Sequence, residues 1–66
     1  MAIILQLVDP AGNTRTIEAN PGDTVVLRPG EVIENVAGVD LSQVQIRIEA
    51  GTLFIDWPEG GISIPG

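Results

Sequence analysis

The chain has 66 residues and a formal net charge of −6, from nine acidic residues against three arginines, with no cysteine, histidine or lysine. The lack of cysteine and histidine excludes disulfides, thiolate nucleophiles, iron–sulfur ligation and ordinary zinc sites. Phosphate groups are bound by clustered cations, so three scattered arginines argue against nucleic acid and anionic lipid as partners.

A chain of this length forms one domain at most, and we expect residues 1–66 to be a single small β domain. Such a chain buries only about 60% of its unfolded surface, so its core is marginal without disulfides, a metal or a partner. Tight packing, self-association or membership of a longer chain has to replace those supports. The end at Gly66, directly after a predicted strand, fits a linker to another domain or a natural terminus equally well.

The first predicted element is a strand over Ala2 to Val8 with apolar residues on both faces, Ile4 and Val8 lying opposite the main apolar face. A strand that is apolar on both faces is usually central in its sheet or covered on both sides. The stretch at residues 9–13 has the Asp, Pro, Gly and Asn of a tight turn. It should return the chain into a strand over Thr14 to Glu18, which completes a hairpin.

The middle of the chain is divided by two Pro-Gly dipeptides, which rule out a helix between them. Pro21-Gly22 has the order that a type II turn requires, and a short third strand is predicted over Thr24 to Arg28. A fourth strand is predicted over Glu31 to Val36. The rest of this piece is read as an irregular link into the next strand, in which Asp40, a favoured capping residue, permits a single helical turn at Leu41-Ser42-Gln43.

The stretch from Val44 to Ile64 has the strongest strand signal in the chain. Apolar residues alternate with polar ones in three runs, separated by Ala50-Gly51 and by Pro58-Glu59-Gly60-Gly61. Each run should form a strand that turns its apolar face to the core and its polar face to water. The fold class predicted for the whole chain is all-β, a small sandwich or open barrel of five to six short antiparallel strands ending in a three-strand meander.

Phe54 and Trp57 are the two aromatic residues, and strand alternation places them on opposite faces of one strand. Trp57 shares a face with the apolar residues of its run and is predicted to lie in the core. Phe54 lies on the polar face, where it marks a surface for a neighbouring domain, a second copy or a ligand. The candidate interaction residues are therefore Ile4, Val8, Phe54 and Trp57.

The sequence predicts no catalytic residues, no cofactor and no resident metal. Catalysis requires a nucleophile or base with a tuned partner, and none of His, Cys, Lys or Tyr is present. Calcium accepts oxygen ligands alone, and several turn residues could supply them: Asp9, Asn13, Asn20, Asp23, Asp40, Asp56 and Glu59. None has the spacing of an EF-hand loop, and Asp and Asn in turns more often cap the backbone. Ca²⁺ binding thus stays an unsupported alternative.

Two resemblances bear on the fold and function. From Thr24 to Ile64 the chain has an extended segment, a link and a Gly-x-Leu-x-Ile strand, then an acidic-glycine turn and an Ile-x-Ile strand. These features rest on Gly51, Leu53, Ile55, Glu59, Gly60, Ile62 and Ile64. This pattern is similar to the N-terminal prefix modules of very large bacterial surface adhesins exported by type I secretion. Residues 2–26 resemble the opening hairpin of β-grasp domains, without the cysteines or the helix of the ferredoxins among them.

The resemblance to adhesin modules implies a structural role at the cell surface. Together with the composition, it predicts a non-catalytic structural or interaction module of a bacterial cell-surface adhesin or assembly. Its partners would be proteins: neighbouring domains, further copies or a larger complex. The alternative is a small accessory subunit of a larger complex, packing through its apolar N-terminal strand. An extracellular location is favoured, and the N-terminus lacks the cationic region of a signal peptide.

Overall fold

Six antiparallel strands form two three-stranded sheets in the computed structural model, which describes residues 2–66. The strands are β1 (Ile3–Val8), β2 (Thr14–Ala19), β3 (Val32–Ala37), β4 (Gln45–Glu49), β5 (Thr52–Trp57) and β6 (Gly60–Pro65). The first sheet has the order β2-β1-β3, and the second sheet has the order β4-β5-β6. The fold is therefore all-β, as predicted. Its two sheets make a small sandwich, and the described strands do not close into a barrel.

The core lies between β1 and the last two strands. Ile3, Leu5 and Leu7 on one face of β1 are fully buried. They share one hydrophobic cluster with inward residues of the second sheet, which are Ile55, Trp57, Ile62 and Ile64. β1 pairs with β2 on one side and with β3 on the other. Of the two arrangements expected for a strand that is apolar on both faces, the structure shows the central one, while Ile4 on its outer face stays 41% exposed.

A β-bulge in β3 decides which of its residues face the core. Gln6 pairs with Asn35, but the next residue, Leu7, pairs with Ile33, so Glu34 is an extra residue in β3. A bulge of this kind shifts the alternation of faces by one residue. As a result Ile33 and Val36, three positions apart, both pack against the core.

The predicted turns form through local side-chain caps. The Oδ1 atom of Asp9 accepts hydrogen bonds from the backbone N–H groups of Ala11 and Asn13, at 3.0 and 2.8 Å. Asp40 caps the single 3₁₀ turn at Leu41–Gln43 by accepting the N–H of Ser42 at 3.0 Å. The side-chain hydroxyl and the backbone N–H of Ser42 lower the pKa of Asp40.

The third strand predicted over Thr24 to Arg28 does not form. In its place Thr24 makes an isolated parallel bridge with Ser63 of β6. Val25 donates its N–H to the carbonyl of Ser63 at 2.9 Å, and Gly22 donates to the carbonyl of Gly61 at 2.7 Å. Turns at Pro21-Gly22 and Pro29-Gly30 leave the chain too little length for a longer ladder, because it must also cross from the second sheet back to the first.

An ion pair fixes the end of this connecting segment. Glu31 is buried, and Arg15 donates two hydrogen bonds to its carboxylate, Nε to Oε2 and Nη2 to Oε1, each 2.7 Å long. The backbone N–H of Arg28 donates to the same carboxylate at 2.7 Å. These bonds lower the pKa of Glu31 to about 2, with the Arg15 hydrogen bond as the largest cause. We call the side formed by β2, residues 20–31 and β6 the closed side.

The opposite side of the sandwich departs from the sequence prediction. The apolar face of β4 was expected to lie on the core, but Ile46 is 64% exposed and Ile48 is 73% exposed. The first sheet ends at β3, and none of its strands in the described part of the chain covers these two side chains. We call this side, with the edges of β3 and β4 and the gap between them, the open side. Within residues 2–66 no helix has the length and hydrophobicity needed to cross a membrane.

Candidate functional site

Ile4 and Val8 lie on the outer face of the first sheet, as their position opposite the buried residues of β1 requires. Ile4 is 41% exposed and lies between Glu18 of β2 and Ala37 of β3, its partners in the two ladders. Val8 is half-buried. Because β1 is paired on both edges, any partner of these two residues has to contact the face of the sheet.

Phe54 lies on the outer face of the second sheet, where it is partly covered by the chain itself. The guanidinium of Arg47 lies 4.2 Å from the centre of the Phe54 ring. Its Nε donates to Asp56 Oδ2 at 3.1 Å, and its Nη1 lies 2.8 Å from Glu49 Oε2. These carboxylates raise the pKa of Arg47, with Asp56 as the largest cause. Phe54 is thus half-buried beneath a cation and is not a bare aromatic patch.

Trp57 is 5% exposed and belongs to the core cluster, so the core position predicted for it is confirmed. Its indole Nε1 is buried and has no hydrogen-bond acceptor among residues 2–66. A buried indole N–H usually finds a partner, since leaving it unpaired costs free energy.

The structure does not bring the four candidate residues together: Ile4 and Val8 lie on one outer face, Phe54 on the other, and Trp57 between the sheets.

Three of the turn carboxylates considered as calcium ligands cap the backbone of their own turns. Asp9 and Asp40 cap their own turns, and Asp23 Oδ2 accepts the N–H of Asn20 at 2.8 Å. The backbone-capping role expected for these residues is therefore confirmed. The described residues contain no group of three or more acidic, histidine or cysteine side chains placed to hold a metal ion.

The open side contains an apolar groove of about 370 Å³. Its walls come from the inner edges of the two sheets and the link between them: Ile33, Glu34, Asn35, Val36, Leu41, Ile46, Leu53 and Ile55. Leu41 is mostly exposed at one rim of this groove, and Ile48 continues the apolar face of β4 beyond it. Exposed apolar surface of this kind, continuous along a groove, is typical of protein contact sites.

The sequence predictions missed this groove. In β4, Ile46 and Ile48 alternate with polar and charged residues in the same way as the buried residues of β5 do. Alternation shows which residues share a face, but it gives no sign of whether another sheet covers that face. The sequence contained no local signal that would have distinguished the two strands.

No family model matches this chain, and no similar protein is found among the curated proteins or the solved structures compared with it. The function therefore has to be inferred from the surfaces and edges described above.

Proposed function

We propose that this chain is a non-catalytic interaction module that binds a protein through its open side, as part of a bacterial cell-surface adhesin or another assembly. The observation that carries the proposal is the exposure of Ile46 and Ile48 on a strand whose outer edge has no pairing partner among residues 2–66. Full burial of a large aliphatic side chain contributes about 1.5 to 3 kcal/mol, and the exposed parts of Ile46 and Ile48 forgo most of it. A partner that covers them recovers that free energy.

Two features of the groove support a protein partner over a small molecule. Its rim includes the edge of β4, whose backbone groups can pair with an extended chain. Its walls are mainly aliphatic, with Glu34 as the one charged residue among them. Backbone pairing along an edge, combined with apolar pockets beside it, is the usual mode of binding by strand addition.

The adhesin assignment rests on the similarity of residues 24–64 to adhesin prefix modules and on the acidic, cysteine-free composition. The accessory-subunit alternative has its own supporting observation, since Ile4 remains exposed on the outer face of the first sheet. That partner would dock on the face of the sheet and not along a strand edge. The two hypotheses therefore predict contact at different residues.

Site-specific photocrosslinking in the cells that make the protein tests the proposal. A photoreactive amino acid placed at Ile48 should give a covalent adduct with protein, whereas one at Glu18, exposed on β2, should not. A third position, Ile4, reports on the accessory-subunit alternative. Adducts at Ile4 without any at Ile48 would overturn the proposal in favour of that alternative, and no adduct at Ile48 would remove its main support.

A further inference from the structure

The sandwich has four outer strand edges, and three of them are protected in ways that natural sheets use against unwanted pairing. The edge of β6 is covered by residues 22–25 through backbone hydrogen bonds. The edge strand β2 carries an inward charge, because Arg15 pairs with the buried Leu7 and so lies on the inner face. The edge strand β3 is interrupted by the bulge at Glu34.

Within residues 2–66 the edge of β4 has no covering segment, no inward charge and no bulge. Each of its residues, Gln45 to Glu49, pairs with β5 in an uninterrupted register. Its inward residues, Ile46 and Ile48, are both apolar and exposed. Among the described edges, β4 is thus the one best suited to accept another strand.

We propose that the occupant of this edge is β4 of a second copy of the chain, paired antiparallel so that the two sheets form one six-stranded sheet. This inference rests on the proposed function and names the partner of the same surface. In the register we infer, Ile48 lies opposite Ile48 of the second copy, and Arg47 of each copy lies opposite Glu49 of the other. The pairing is symmetric and uses the open edge of both copies, so it closes at a dimer.

This register is favoured by both faces of the strand. On the inner face it joins the exposed isoleucines of the two copies into one apolar stripe beside the two grooves. On the outer face it sets two Arg47–Glu49 pairs across the junction, and opposite charges directly across a sheet are stabilising. A register shifted by one position would set Ile48 opposite Arg47 or Glu49 of the second copy. A register centred on Arg47 would oppose two arginines.

The ion pairs that Arg47 makes within its own chain do not prevent it from pairing with Glu49 of the second copy. The Nη1 contact with Glu49 joins two side chains that are 48% and 64% exposed, so it lies in solvent and is weak. The Nε contact with Asp56 holds the guanidinium in place over Phe54 independently of Glu49. When Arg47 exchanges Glu49 of its own chain for Glu49 of the second copy, the number of ion pairs stays the same. The charges thus select the register, while burial of the isoleucines supplies the affinity.

Single cysteines test the register, because the natural chain contains none. A disulfide needs Cα atoms within about 7 Å, which directly opposite residues of antiparallel strands satisfy. Ile48→Cys should therefore form a disulfide-linked dimer under mild oxidation. Ile46→Cys is the matched control, since its copies would be offset by four residues and lie about 14 Å apart. Wild-type protein should meanwhile dimerise in sedimentation equilibrium at about 0.15 M salt, where repulsion between the two acidic copies is screened.

Charge reversal gives a second test. Glu49→Arg would oppose two arginines at each end of the junction and should weaken dimerisation by roughly tenfold. Mixing it in equal amounts with Arg47→Glu places opposite charges across the junction again, so a mixed dimer should form in preference to either pure one. Circular dichroism of each variant confirms that it is folded.

Four results would overturn this proposal: a wild-type chain that stays monomeric, a dimer in which Ile46→Cys links and Ile48→Cys does not, a dimer in which neither links, or mixed variants that do not associate. Each of these leaves the proposed function to be judged by the photocrosslinking result. An adduct at Ile48 with a different protein would retain the interaction surface and replace the second copy as its occupant. Loss of that adduct as well would remove both proposals.

Discussion

The closed and open sides of the sandwich have similar strand sequences but very different surroundings. On the closed side, residues 20–31 run along β6, bury Val25, and are fixed at their far end by the Arg15–Glu31 pair. On the open side, the link between β3 and β4 contains a single 3₁₀ turn, and Ile46 and Ile48 remain exposed. Each sheet has three strands, so the number of strands does not explain this difference. The connecting segments explain it, because a segment covers the apolar residues on one side and not on the other.

The largest expected effect compares two isoleucines that pair with each other across β4 and β5. Ile55 is 1% exposed, whereas its partner Ile46 is mostly in solvent. Ile55→Ala should lower the free energy of unfolding by about 2 to 5 kcal/mol, because it leaves a cavity in the core. That is a large part of the about 3 to 10 kcal/mol expected for a chain of this length.

Ile46→Ala is the matched control for Ile55→Ala. Urea unfolding of the monomer measures the free energy of unfolding of each variant. Ile46→Ala should change the free energy of unfolding by about 0.5 kcal/mol or less, since the side chain is largely solvated. Equal losses of unfolding free energy for the two variants would show that Ile46 is buried in solution, which contradicts the exposed groove described for the open side.

The ion pair of the closed side should give the next largest effect and make stability depend on pH. Because folding lowers the pKa of Glu31 from 4.5 to about 2, its contribution is complete above pH 4.5 and is lost as the pH falls towards 2. Glu31→Gln should lower the melting temperature at pH 7, and the difference from wild type should shrink as the pH approaches 2. Thermal melts between pH 2 and pH 7 measure this difference.

Glu18→Gln, at an exposed residue of the same β2 strand, is the control for the ion pair. It should keep the wild-type dependence of the melting temperature on pH. A Glu31→Gln variant whose melting temperature follows the wild-type curve throughout would contradict the assignment of this acid sensitivity to the closed side.

Two glycines sharpen the comparison with a smaller effect. Gly51 in the β4–β5 turn has a φ of +80° and open space where a Cβ atom would lie, whereas Gly60 has a φ of +148° and a Cβ there would lie 2.6 Å from Pro21 Cβ. Gly51→Ala should cost about 1 kcal/mol from backbone strain alone. Gly60→Ala should cost more, because its Cβ would overlap Pro21 and push this end of residues 20–31 away from β6. If chemical denaturation gives equal costs, this contact does not restrain the segment.

Much of the fold could be predicted because its determinants are local. Asp9, Pro21-Gly22 and Asp40 shape their turns through contacts within a few residues, and alternation outlines the strands of the meander. The closed side depends on Arg15 and Glu31, sixteen residues apart, which no periodic pattern joins. The failed third strand likewise follows from the path of residues 20–31 between sheets.

The candidate site was predicted less well than the fold. Phe54 was correctly placed on the outer face, but the Arg47 that covers it comes from a neighbouring strand. The exposed Ile46 and Ile48 were expected in the core, because their sequence pattern is that of a buried strand. Whether a face is covered is a property of the whole sandwich.

Residue-resolved amide hydrogen exchange at several protein concentrations tests the central contrast most directly. The N–H groups of Val25 and Ser63, both bonded within the closed side, should be protected at every concentration. Amides along β4 should gain protection as the concentration rises and the open edges pair. Exchange along β4 that does not change with concentration, or rapid exchange at Val25 and Ser63, would contradict the account.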